Sequence, residues 1–174
     1  GWLPTYLYTY MHVPIVKTGI LTSLPFFISW IAEIVIALWA NRLIKRGANM
    51  TYTRKMFTIA GFVITASAGL LYFTDTLFWA MVIIIISNIG TACTAANLWS
   101  LPADLAPEGM GSSLSGIMNT FGFIASIIGP LITGYLLAIT HSFVGPMLLM
   151  AFLMVVGIVA VLLCVKKVEE RIVV

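Results

Sequence analysis

The chain has 174 residues, of which 61% are hydrophobic and only 9% charged, against about 25% charged in a soluble domain. Its net charge of +3 is too small and too localised for a nucleic-acid surface and acts instead as a topology signal. The two cysteines and two histidines show no zinc or haem spacing, so neither a metal nor another cofactor is expected.

Long apolar runs organise the chain. A stretch of about 18 or more apolar residues can cross a hydrocarbon core roughly 30 Å thick as an α-helix. In lipid a helix satisfies each backbone amide within its own segment, which makes helices the economical reading. A short apolar stub, residues 1–10, comes first and reads as part of a span. Full spans are expected at 18–40, 56–73, 77–101, 112–140 and 144–165. The last two are divided by Thr140-His141-Ser142-Phe143-Val144-Gly145-Pro146, where polar residues and a Gly-Pro pair interrupt the apolar run. A basic loop, 41–55, separates the first two full spans, and a tail, 166–174, follows the last. The expected class is an all-α integral membrane protein with the lipid bilayer as its surroundings. The opening Gly1-Trp2-Leu3-Pro4 has no signal-peptide pattern. Six spans with most of the first helix missing read as part of something longer.

Eight of the nine Lys and Arg residues fall on one side of the spans. The loop 41–55 carries Arg42, Lys45, Arg46, Arg54 and Lys55 with no acid, and the tail carries Lys166, Lys167 and Arg171. Alternate crossings bring both to one face, together with the Asp104–Gly111 connection. The other face receives only Lys17, His12, Asp75 and His141. A Lys/Arg excess marks cytoplasmic loops, so loop and tail are expected in the cytoplasm.

Function is expected among the polar residues inside the spans. Glu33 is the one acid at membrane depth, and an ionisable group there faces protein or water rather than lipid. At 100° per residue it shares a face with Thr22, Ser29, Ala37 and Ala40. It reads either as a proton- or cation-coupling carboxylate or as a packing group bonded to a neighbouring helix. The third full span carries Ser87, Gly90, Thr94 and Asn97 in one stripe, with Trp99 near its cytoplasmic end. The fourth carries Ser112, Ser115, Asn119, Gly122, Ser126 and Thr133 in another, and Gly129-Pro130 should bend it. Small residues at such spacing let helices approach closely, so packing and ligand contact both remain open. Asn119 is harder to assign to packing alone, because its amide brings donors and an acceptor that all need partners. Cys93 and Cys164 lie at different depths and read as small apolar packing residues rather than a disulfide.

The loop Asn41-Arg42-Leu43-Ile44-Lys45-Arg46-Gly47 resembles the second copy of the basic inter-helix motif of the major facilitator superfamily, usually D-R-x-x-R-R-G. Trp2-Leu3-Pro4-Thr5-Tyr6-Leu7, Leu101-Pro102-Ala103-Asp104-Leu105-Ala106-Pro107, Gly116-Ile117-Met118-Asn119 and Gly129-Pro130-Leu131-Ile132-Thr133-Gly134 are similar to its anion:cation symporter branch. That branch includes carriers of galactonate, glucarate and hexuronates. The resemblance implies the C-terminal six-helix half of the fold, its first helix partial, and a missing N-terminal six-helix half as partner. It implies symport of a small organic anion with a cation, H⁺ rather than Na⁺, across a bacterial inner membrane by alternating access between the two halves. Trp99 and Asn119 match substrate-contacting positions of the sugar-acid transporters. Asn97 and Ser115 stand beside them in the same stripes and complete the candidate site, with Glu33 as the coupling candidate. Two positions depart from the pattern. Asn41 replaces the usual Asp, and Glu33 stands where a small or apolar residue is expected.

Two other classes compete with a carrier. A scaffold or receptor on the same fold would lack transport. An intramembrane hydrolase would need more than Gly111-Ser112-Ser113-Leu114-Ser115-Gly116, which lacks the final Gly of G-x-S-x-G and has both histidines on the opposite face. The charge asymmetry gives a direct test of orientation. In intact cells expressing the full-length protein, a cysteine at Gly47 should resist impermeant thiol reagents while one at Thr76 reacts. The reverse labelling would invert the topology.

Overall fold

A computed structural model describes residues 3–9, 11–74, 76–107, 109–140 and 144–164. The expected cytoplasmic tail with Lys166, Lys167 and Arg171 lies outside these residues, as do Asp75, His141 and the Cys164 side chain. Helix is the regular structure of all described elements: α1 (Leu3–Thr9), α2 (Ile15–Lys45), α3 (Met50–Thr65) continued by a 3-10 segment (Ala66–Phe73), α4 (Leu77–Leu98), α5 (Leu101–Leu105), α6 (Gly111–Thr140) and α7 (Val144–Cys164). Four segments are long and apolar enough to cross a membrane: α2, α3 with its 3-10 extension, α4 and α6. The fifth expected span corresponds to α7, whose apolar stretch Leu148–Leu163 is shorter.

The basic segment 41–55 is mostly helical rather than a loop. Arg42 and Lys45 occupy the last turn of α2, where a cation is favoured by the partial negative charge of the helix C-terminus. The helix then stops in a Schellman turn. Gly47 takes the left-handed conformation at φ 94°, with Gly47 N–H donating to Ile44 O at 3.0 Å and Ala48 N–H to Leu43 O at 3.1 Å. Asn49 caps α3 at once, its Oδ1 accepting from Tyr52 N–H at 2.9 Å. Only residues 46–49 are left to connect two membrane helices.

The centre of the bundle is the α3–α4 pair. Gly61 and Gly90 meet where these helices cross: a Cβ on Gly90 would lie 2.8 Å from Gly61 O, and one on Gly61 would lie 2.7 Å from Gly90 O. Backbones this close expose their carbonyls to hydroxyls of the partner helix. Ser87 Oγ donates to Thr65 O at 3.0 Å, Thr94 Oγ1 to Thr58 O at 3.4 Å, and the Cys93 thiol to Phe57 O at 3.2 Å. Such bonds contribute about 0.6 kcal/mol each in membranes, so the close packing they accompany dominates the pairing. Ser87, Gly90 and Thr94, the stripe whose role the sequence left open, are therefore buried packing residues.

Around this pair the other helices are layered unequally. α2 lies along α4, and Ala40, Phe57 and Cys93 form a small buried cluster where α2, α3 and α4 meet. At the other end Leu3, Tyr6 and Leu7 of α1 pack with Leu71, Ala80, Met81 and Ile84. α7 lies against α3 and the 3-10 segment, whereas α6 leans on α5 and α7 and has no buried residue. Pro130 sits inside α6, which continues as helix on both sides of it.

The glycine crossing carries a prediction. Gly90→Ala would set a methyl 2.5 Å from Thr65 N, and overpacking of this kind costs about 1–3 kcal/mol. The unfolding midpoint of the full-length protein in detergent should fall. Gly69→Ala, which meets nothing within 4 Å, should leave it unchanged.

Candidate functional site

Where α2, α3, α4 and α5 converge, a single guanidinium is surrounded by acceptors. Arg54, in the first turns of α3, is 5% exposed. Its Nε donates to Asp104 Oδ2 at 3.0 Å, its Nη2 to Asn41 Oδ1 at 3.0 Å and its Nη1 to Asn97 Oδ1 at 3.4 Å. Asp104 belongs to α5, Asn41 to α2 and Asn97 to α4, so one side chain ties four helices. A buried cation is tolerable only when paired and bonded in this way. Asn41 supplies a neutral amide oxygen to the cation, and the carboxylate comes from Asp104.

This arrangement settles where Asn97 stands. Expected beside Trp99 in a ligand site, it is instead fully buried, accepting from Arg54 and donating from Nδ2 to Cys93 O at 3.0 Å. It continues the stripe of Ser87, Gly90 and Thr94, which faces α3. A residue on that face is occupied by the neighbouring helix and has no side open to a solute.

Trp99 points another way. It caps the C-terminal end of α4 and is 47% exposed. Helical Cα–Cβ bonds tilt toward the N-terminus, which carries the indole back into the bundle. Its Cη2 lies 3.8 Å from the point a Cβ on Gly122 would occupy. Gly122 is eleven residues into α6, about 16 Å along the helix from its start. Asn119 lies one turn before Gly122 and Ser115 one turn before that, on the same face. Asn119 is exposed and donates from Nδ2 to Ser115 O at 3.0 Å, leaving its Oδ1 and its second amide hydrogen available. Asn119 and Ser115 thus share the α6 face that Trp99 approaches at Gly122, whereas Asn97 points to Arg54.

With this geometry in place, comparison with known proteins decides the family. A Major Facilitator Superfamily model matches residues 1–173. The chain belongs to the Major Facilitator Superfamily. Members of this superfamily are membrane carriers, not enzymes. The chain is 30% identical over 169 residues to the probable galactarate/D-glucarate transporter of Bacillus subtilis (strain 168), covering 97% of the chain and 37% of that protein. It is 30% identical over 165 residues to the probable galactarate/D-glucarate transporter of Escherichia coli (strain K12), covering 90% and 37%. It is 25% identical over 169 residues to a D-galactonate transporter of Escherichia coli O6:H1, covering 97% and 39%. The chain therefore spans between a third and two-fifths of the length of these superfamily relatives.

Glu33 lies on the inner face of α2, on the stripe that includes the buried Thr18, Pro25 and Ala40. It is partly exposed, and no hydrogen bond or ion pair joins it to another described residue. Thr22 Oγ1, on the same stripe, is buried without a partner. The Arg54 hub was not singled out from sequence, where Arg54 counted only as one more cytoplasmic charge. The available signal was its sign: Asp104 is an acid expected on the same membrane face.

The hub predicts a pattern of stabilities in this superfamily member. Asp104→Ala leaves the Arg54 guanidinium buried without its carboxylate, which costs about 3–5 kcal/mol. Replacing both partners by apolar residues, Arg54→Met with Asp104→Leu, should recover most of that loss. Thermal unfolding of the purified full-length protein measures both, and equal losses from single and double variants would mean the ion pair is not what holds these helices.

Proposed function

We propose that this chain is the C-terminal half of an ion-coupled carrier that moves a small organic anion of the sugar-acid class by alternating access. The observation that carries the reading is the approach of the Trp99 indole to Gly122 on α6, one turn beyond the exposed Asn119 on the same helix face. An exposed indole approaching the helix face that bears an amide with free bonding capacity suits a polyhydroxylated carboxylate: the indole face would cover its carbon skeleton, and the Nε1–H and the amide would bond its hydroxyls. Ser115 adds a hydroxyl on the same wall. Asn97 we assign to the Arg54 hub, where it steadies the end of α4 from which Trp99 projects. The names of the relatives, galactarate/D-glucarate and D-galactonate transporters, agree in chemical class.

The remaining parts of the reading follow from residues described above. The second wall of the site comes from an N-terminal six-helix half, and the two halves rock about the bound solute. Glu33, an acid on an inner helix face with no bonded partner among the described residues, is the coupling group, and a carboxylate suits H⁺ better than Na⁺ in that role. The basic ends of α2 and α3 face the cytoplasm by the Lys/Arg rule, in the plasma membrane of a bacterium, with the C-terminus inside.

Transport by the full-length protein in vesicles tests this. Asn119→Ala should weaken apparent affinity for galactarate, D-glucarate or D-galactonate about ten- to a hundredfold, the loss of one good polar contact of about 1–3 kcal/mol. Unchanged affinity for each anion the parent moves would remove Asn119 from the site. Glu33→Gln keeps size and bonding while removing the titratable charge. It should abolish pH-driven uptake yet leave counterflow, and retained pH dependence would return Glu33 to a packing role.

A further inference from the structure

The C-terminal end of α2 carries charge that no acid among the described residues pairs. Of the five basic residues between positions 41 and 55, Arg54 is consumed by Asp104, and Lys55 donates to Leu162 O at 3.3 Å in the last turn of α7. Arg42, Lys45 and Arg46 remain. All three are exposed, none is paired with an acid among the described residues, and their i, i+3, i+4 spacing puts them on one helix face. They are held rigidly, because the Schellman turn at Gly47 fixes the helix end that bears them.

The same face runs back along α2 as a stripe of exposed apolar side chains: Leu38 at 65%, Val35 at 57% and Ile31 at 44%. Trp39 stands at the junction, 58% exposed, with its ring held edge-on against Phe57 at 5.4 Å and 80°. Apolar stripe, interfacial tryptophan and basic triad follow one another over about 23 Å of helix. That sequence of surfaces matches acyl chain, ester region and phosphate in a lipid, since tryptophan favours the headgroup boundary and clustered Lys/Arg attract anionic headgroups. A free anion would find the charges and have no use for the stripe.

We infer that Arg42, Lys45 and Arg46 with Trp39 form a binding site for the headgroup of an anionic phospholipid. Its occupant is phosphatidylglycerol or cardiolipin in preference to a zwitterionic lipid, whatever solute the carrier moves. Arg42 and Arg46 offer bidentate donors to a phosphodiester, and Lys45 between them adds a point charge. Each basic residue near a membrane surface contributes about fivefold to anionic-lipid affinity, so the triad should give selectivity on the order of a hundredfold. Selectivity should fall as salt shortens the Debye length.

The test uses the purified full-length protein in detergent with phosphatidylglycerol and phosphatidylcholine as competing probes, the bound lipids counted by native mass spectrometry. The parent should retain phosphatidylglycerol preferentially. Arg42→Gln/Lys45→Gln/Arg46→Gln should lose the preference while Lys17→Gln, on the opposite membrane face, keeps it. Arg42→Gln alone, which leaves the helix cap intact, should lose about fivefold, so the result does not depend on the triple variant folding. Three outcomes would overturn the site: equal retention of the two lipids by the parent, which would mean the face is covered by the rest of the protein; a triple variant that keeps its preference; or displacement of phosphatidylglycerol by millimolar inorganic phosphate, which would mark a free-anion site instead.

Discussion

A guanidinium cannot be buried at the end of a membrane bundle unless acceptors close around it, and that requirement organises this molecule. Arg54 needs oxygens in the plane of its fork, and no single helix can present them. Asn41 arrives from α2, Asn97 from α4 and Asp104 from α5. Lipid gives helices no hydrophobic reason to associate, so a shared polar centre specifies which four ends meet. The low dielectric that strengthens these bonds also makes their loss expensive. Having Asn rather than Asp at position 41 alters the balance. The cation then rests on one carboxylate, that of Asp104.

The hub and the glycine crossing act on α4 at two depths. Near its middle Gly90 locks α4 onto Gly61 of α3, and near its C-terminal end Asn97 ties it to Arg54. A helix fixed at two points has a fixed rotation, which decides which residues look outward. Ser87, Gly90, Thr94 and Asn97 face α3, and Trp99, two residues beyond Asn97, is left to project toward α6. The position of the indole is thus a consequence of the packing, not a local preference of tryptophan.

Much of this was legible in the chain itself. Apolar length fixed the helices because lipid admits little else, and the family motifs lay in the residues quoted for them. The face of α2 bearing Glu33 also followed from helical periodicity. Helix ends were read less well: residues 41–45 and 50–55 looked like loop because they are charged, yet charges at helix termini are compatible with helix continuing to the membrane surface. The stripe on α4 shows a deeper ambiguity. Small and polar residues at helical spacing describe equally a tight helix contact and a solute path, and only the neighbour distinguishes them. For Ser87, Gly90, Thr94 and Asn97 that neighbour is α3. For Ser115, Asn119 and Gly122 no described residue covers the face apart from the indole of Trp99.

That contrast separates two kinds of anchoring within one chain. α2, α3 and α4 are joined by buried bonds, whereas α6 has no buried residue and is held through α5, α7 and the Trp99 contact. Asp104 stands between these regimes. It is part of the hub through its carboxylate and part of α5 through its backbone, and α5 packs directly on α6. Parting Asp104 from Arg54 would release α5 from the rigid set, and with it one of the supports of α6. The placement of α6 is therefore governed by two things: the approach of the Trp99 indole to the open backbone at Gly122, and an ion pair at the end of the bundle. The weaker of these leaves α6 room to adjust, and the stronger fixes the frame in which it adjusts.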